Sequence, residues 1–239
     1  MKRIQLFFRF FITILIIQFG SACSKCKKGS GNSISIERHV PYFTGIETNG
    51  SFDVHITKDA VQKVIIKADD NIIPIIETEV ENGILEIELD DDACLRRANK
   101  VDVYISTPSL RKVRLNGSGS VHGEGVFTDD EMNLFVNGSG DMFLNFDGKN
   151  LRSKIEGSGK ITLSGSAENA NHDINGSGNI QAKTLETQHV TTRVNGSGRI
   201  SVNAVQTLKV NISGSGRVGY TGNPVTDVNI NGSGKVVRE

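Results

Sequence analysis

One tetrapeptide, Asn-Gly-Ser-Gly, constrains this chain more than any other feature. It opens at Asn116, Asn137, Asn175, Asn195 and Asn231, and Glu156 and Ser213 take the first place in two further copies. Successive copies lie 21, 19, 19, 20, 18 and 18 residues apart. A period so short and regular marks one small unit stacked on copies of itself. The flanks repeat too. Leu115, Val136, Ile155, Ile174, Val194, Ile212 and Ile230 precede the motif, and Val121, Met142, Ile161, Ile180, Ile200, Val218 and Val236 follow five places after its first residue. All are apolar, so equivalent side chains stack behind each corner as an aliphatic ladder.

The period sets the architecture. At about 3.3 Å per residue a repeat has a contour of about 60 Å, enough for a coil of two or three short strands joined by corners. The fold class is therefore all-β, a parallel β-helix or β-solenoid with repeats of about 18–21 residues over 111–239. Seven coils at about 4.8 Å each make a rod of about 34 Å. The glycines supply positive φ or room for the next corner, and Asn and Ser can form hydrogen-bonded ladders.

Residues 34–110 are strand-rich but lack the full corner. Segments such as Asp53-Val54-His55-Ile56 and Val101-Asp102-Val103-Tyr104-Ile105 alternate apolar and polar residues, and Asn82-Gly83 signals a hairpin. Asn49-Gly50-Ser51-Phe52 is a degenerate eighth copy with Val54 at the ladder place. Residues 57–110 are expected to pair with or cap the solenoid. The 26 Gly, 4 Pro and absent Trp of the 239 residues fit regular strands and tight corners.

Residues 1–22 read as an export signal: Lys2 and Arg3 precede an apolar stretch over 10–19 that is short for a bilayer span. Gly20-Ser21-Ala22-Cys23 resembles a lipobox, which makes Cys23 the lipidated N-terminus of an outer-membrane lipoprotein. Residues 23–33 have the composition of a flexible tether. Cys26 and Cys94 can pair after export, but their separation gives no geometry, and free thiols are the reading favoured over a metal site. Without residues 1–22 the chain holds 24 basic against 27 acidic groups, which offers nothing to nucleic acid.

No catalytic constellation emerges. Asp141, Asp147 and Asp173 fall at different offsets from their corners, unlike the clustered acids of β-helix polysaccharide enzymes. His39, His55, His122, His172 and His189 lack metal-ligand spacing, and Asp90-Asp91-Asp92 lacks the spaced ligands of a calcium loop. No metal or cofactor is expected. One surface feature stands out in the residue after each corner. There Lys160, Arg199, Arg217 and Lys235 form a candidate ligand-contact stripe for anionic glycans or lipid head groups.

The segment Phe43-Thr44-Gly45-Ile46-Glu47-Thr48-Asn49-Gly50-Ser51-Phe52-Asp53-Val54, the serial corners, and Tyr220-Thr221-Gly222-Asn223-Pro224 together resemble the head GIN domain family over about residues 40–237. That resemblance implies a right-handed β-helix-like body and an adhesin of Bacteroidetes-type bacteria, often a lipoprotein. It offers no catalytic residues to carry over. Glu156, Ser213 and Phe52 depart from the pattern at corner positions. The expectation is a non-enzymatic, lipid-anchored envelope protein binding a glycan or other envelope macromolecule. A polysaccharide-processing β-helix enzyme and a ligand-free scaffold are the alternatives. Ser24-Lys25-Cys26-Lys27-Lys28 carries no acid after Cys23, so cell-surface and periplasm-facing anchoring both stay open.

Overall fold

Alternate residues of an extended chain point the same way, so the apolar-polar alternation of each repeat divides it into an inner and an outer row. The computed structural model describes residues 26–90, 93–96 and 100–239. Its long strands Asp141–Gly157, Lys160–Gly176, Asn179–Gly196 and Arg199–Gly214 each run from one corner to the next. Neighbouring coils pair in parallel along most of that length. The result is a stack of β-coils around one aliphatic core, as the repeat requires.

The two glycines of a corner do different work. Gly176 has φ +128°, and a Cβ there would lie 2.4 Å from the Gly157 carbonyl oxygen of the coil before. Gly178 keeps an ordinary φ, but its Cβ would meet Ile155 Cγ2 at 2.7 Å. Close approach lets the Ser177 N–H donate to the Gly157 carbonyl at 2.9 Å, and Ser158 and Ser197 repeat this bond on Gly138 and Gly176 at the same distance. Asparagine side chains add a second ladder: Asn195 Nδ2 donates to Asn175 Oδ1 at 2.9 Å, and Asn116 Nδ2 to Asn49 Oδ1 at 2.7 Å.

Ladder residues behind the corners are buried, Ile155, Ile174, Val194, Ile161, Ile180 and Ile200 completely so. Only the final rung departs: Ile230 is 39% exposed, because Val225–Gly232 pairs on one side alone, with Arg199–Gly214.

Asn49-Gly50-Ser51-Phe52 is a true rung, with Asn49 opposite Asn116 and Val54 opposite Val121. A further rung lies beyond it. Ile84–Leu89 pairs in parallel with Gly45–Asn49, and Asp102–Thr107 with Asp53–Lys58. The chain thus lays down its second rung before its first. Along the corner column the register reads Glu88, Asn49, Asn116, Asn137, Glu156, Asn175, Asn195, Ser213, Asn231. Eight steps of ~4.8 Å give about 38 Å, longer than the seven corners alone imply.

Antiparallel strands close this end. Lys63–Asp69 pairs with Asp102–Thr107 and carries Ser33–Arg38 on its other side, while Ile76–Glu81 folds onto Ile84–Leu89. The turn of that last hairpin is Asn82-Gly83, with φ +51° and +75°, both positive as a two-residue type I′ connection demands. Phe43, Ile72, Ile73 and Ile76 fill the space beneath the cap.

The stretch before residue 110 shares one core with the repeats, because Gly45–Asn49 stacks directly on Lys112–Gly117. Two expectations change. Cys26 and Cys94 are not free thiols: they form a disulfide, and Cys26–Lys28 pairs in parallel with Cys94–Arg96. The tether expected over 23–33 is consequently fastened from Cys26 onward. Ser30 Oγ and Asn32 Nδ2 both donate to the Asp70 carboxylate, at 2.6 and 2.9 Å, and Asn71 Nδ2 donates to the Lys28 carbonyl at 2.8 Å. Cys23 and the export signal lie outside the described residues, as do Asp91 and Asp92.

Gly176→Ala, which forces a Cβ against backbone at positive φ, is expected to lower stability by about 2–4 kcal/mol in urea unfolding. Ser177→Ala at the exposed place beside it is expected to change stability by no more than about 0.5 kcal/mol.

Candidate functional site

With the inner rows committed to the core, the outer rows carry the surface chemistry. On the sheet that leads into the corners, three outer columns stand side by side, holding the residues four and two places before the corner and the corner residue itself. In successive coils these are Arg152, Lys154 and Glu156; then Asn171, Asp173 and Asn175; then Thr191, Arg193 and Asn195. A coil of short polar side chains thus lies between coils that hold long cations. The height difference leaves a trough of about 560 Å³ across the sheet.

Its floor is Asn171, Asp173 and Asn175, and its walls are Arg152 and Lys154 on one side and Arg193 on the other. Arg193 Nη1 donates to Asp173 Oδ1 at 3.1 Å, which draws the guanidinium over the floor. Lys154 binds Glu156 and, by that hydrogen bond first and by its charge, holds the Glu156 carboxyl below its usual range. Arg114 and Lys154 also stand 4.6 and 5.4 Å from the Phe135 ring centre, joining a smaller basic hollow to the trough. Such a surface offers amide, carboxylate and cationic groups at once, the set that grips hydroxyls and acid groups of a sugar chain.

The stripe residues lie on the other side of the corner. Register places Arg199, Arg217 and Lys235 on consecutive rungs, all exposed, while Asn179 separates them from Lys160. Lys160 Nζ sits 5.5 Å from the Phe143 ring centre. Toward the capped end this column turns acidic, with Asp141, Ser120, Asp53 and Asp102. The trough column passes from Arg193 and Lys154 to Glu47 and Glu86. Partial burial, then Glu47, Glu81, Glu88 and Glu79, push the Glu86 carboxyl above its usual range. At Asp53 burial opposes ionisation, but hydrogen bonds from Lys100 and Ser120 outweigh it and hold the carboxyl low. The stripe face is therefore acidic near the cap and basic away from it, whereas on the trough face Arg114 stands on the rung next to Glu47 and Asp227 on the last rung.

Residues 42–224 match the family model described as "Putative auto-transporter adhesin, head GIN domain". The chain belongs to the head GIN domain family. Among solved structures, this head GIN chain is similar to a "putative adhesin" of Bacteroides fragilis, 24% identical, covering 89% of this chain and 100% of the other with a TM-score of 0.84. A "putative lipid binding protein" of Parabacteroides distasonis is 26% identical over 90% of this chain and 100% of its own, TM-score 0.74. A "putative adhesin" of Parabacteroides merdae is 21% identical with the same coverage and a TM-score of 0.72. No curated protein is detectably similar.

Sequence reasoning aligned Arg199, Arg217 and Lys235 of this head GIN domain, as the register does, set Lys160 with them across the gap at Asn179, and missed the trough. It took only the residue after each corner as contact surface. The signal was present, since Arg152, Lys154 and Glu156 alternate with buried Leu151, Ser153 and Ile155.

One pair invites a catalytic reading. Ser153 Oγ and His172 Nδ1 share a hydrogen bond of 2.8 Å. Both side chains face the core on consecutive coils and are 0% and 1% exposed, so no substrate reaches them. Burial lowers the His172 pKa from 6.5 to about 4, and its Nε2 has no partner. The folded imidazole stays neutral where the unfolded one takes up a proton. Its contribution is therefore intact above pH 6.5 and is lost as pH falls toward about 4, on the order of 3 kcal/mol in all. Chemical-denaturation midpoints should fall across that window, and the paired change Ser153→Ala, His172→Leu should flatten the fall.

Proposed function

We propose that this head GIN chain is an exported, lipid-anchored binding protein of the bacterial envelope, without enzymatic activity, which holds an acidic polysaccharide on its outer columns. The observation that carries the reading is the trough, where short amides and a carboxylate lie between Arg152, Lys154 and Arg193. Uronate or sulfate groups match the cationic walls, and sugar hydroxyls match Asn171, Asp173 and Asn175. The adhesin description of the family and of two similar structures supports a binding role, and the lipid-binding description of a third agrees with an anion-accepting surface. Cys23 is the proposed site of acylation, and Lys160, Arg199, Arg217 and Lys235 provide a second, weaker contact.

Retention on an immobilised acidic polysaccharide tests this. Replacing Arg152, Lys154 and Arg193 together by Ser is expected to weaken retention at least about tenfold while the thermal midpoint holds, because exposed cations contribute little to stability. Replacing Arg199, Arg217 and Lys235 by Ser should have a smaller effect. Unchanged retention in both variants would remove the reading and leave a ligand-free scaffold. Protease treatment of intact cells addresses location: digestion is expected, and full protection would place the protein facing the periplasm and exclude adhesion.

A further inference from the structure

The Cys26–Cys94 disulfide determines how the body sits on its membrane. Cys26 follows the proposed lipid-bearing Cys23 by three residues, a reach of at most about 11 Å. Cys94 belongs to the link between Ile84–Leu89 and Asp102–Thr107, the strands of the outermost rung beneath the cap. The bridge therefore ties the acylated terminus to one end of the rod. Without it, Cys26–Lys28 retains its short pairing and the hydrogen bonds that join Lys28, Ser30 and Asn32 to Asp70 and Asn71, and the next strand paired to the body starts at Ser33, ten residues from Cys23 and about 36 Å of chain.

Resting on the lipid-anchor reading, we infer that this disulfide is a short leash that seats the capped end of the solenoid on the bilayer and makes the end at Val225–Arg238 the free one. Upright, the stripe residues Arg199, Arg217 and Lys235 stand on the three rungs farthest from the bilayer, and the trough begins on the rung of Arg199 and extends two rungs toward the cap. The end rungs differ in height by about 38 Å.

The test uses the acylated full-length protein, purified from the envelope and placed in phosphatidylethanolamine–phosphatidylglycerol vesicles bearing an acceptor dye on the lipid. A fluorescent amino acid replaces either Val61, exposed between the second rung and the cap, or Ser233, at the last corner. Energy transfer to the lipid is expected to be several-fold stronger from position 61 than from 233. In the Cys26→Ser, Cys94→Ser variant, transfer from 61 is expected to drop as the leash lengthens. Equal transfer from the two positions, or no change on removing the disulfide, overturns the leash. Flotation with the vesicles and the acyl mass on Cys23 are read first. An unacylated protein that does not float overturns the anchor reading and the leash with it, whereas an acylated protein with equal transfer overturns the leash alone.

Discussion

The contact on which everything else depends is a backbone N–H donating to a glycine carbonyl one coil away. Ser177 to Gly157 is the type, repeated up and down the rod. It forms only where two corners touch without side chains between them, which is why a Cβ on Gly176 or Gly178 would strike the neighbouring coil. Glycine at a corner gives up chain stiffness, and the stacked ladders of Ile155, Ile174 and Val194 return it as a buried apolar column. Each corner is thus a fixed step that holds the coils in register.

Fixed register is what lets single substitutions act as surface features. A residue at one offset meets the same offset one coil away, about 4.8 Å distant, so charge and size are read down columns. Where Asn171, Asp173 and Asn175 follow Arg152 and Lys154, the surface sinks into a trough; where Arg199, Arg217 and Lys235 follow one another, it becomes a basic line. On the stripe face, the acidic rungs near the cap and the basic ones beyond give the rod a polarity, and Cys26–Cys94 attaches the N-terminal segment at its acidic end. Core and function are separated by the pleat. Inner rows keep even the Ser153–His172 pair sealed, and outer rows are free to vary.

Much of this was legible beforehand because repetition converts sequence offsets into spatial columns. The solenoid, the aliphatic ladder, the stripe and the Asn49 rung all follow from spacing alone. The order of the rungs did not. Ile84–Leu89 and Asp102–Thr107 lie outside Gly45–Asn49 and Asp53–Lys58, and no local signal records that the chain places its second rung before its first, since the two outer strands lack a Gly-Ser-Gly corner between them. The disulfide was illegible for the same reason: a separation of 68 residues carries no geometry until the cap brings Cys26–Lys28 beside Cys94–Arg96. The outward direction of the trough residues was readable in the alternation around Leu151, Ser153 and Ile155, but its depth comes from comparing side-chain lengths down three stacked coils, which no single repeat displays.

Native-state hydrogen exchange at the corner amides measures the central contact directly. Ser158, Ser177 and Ser197 should exchange only through global unfolding, with the same denaturant dependence as the ladder residues behind them, while amides of Val225–Gly232 that face away from the stack should exchange early. Rapid exchange at Ser158, Ser177 and Ser197 under native conditions would mean that the corners are loose connections and that the register, and every column built on it, is held by something else.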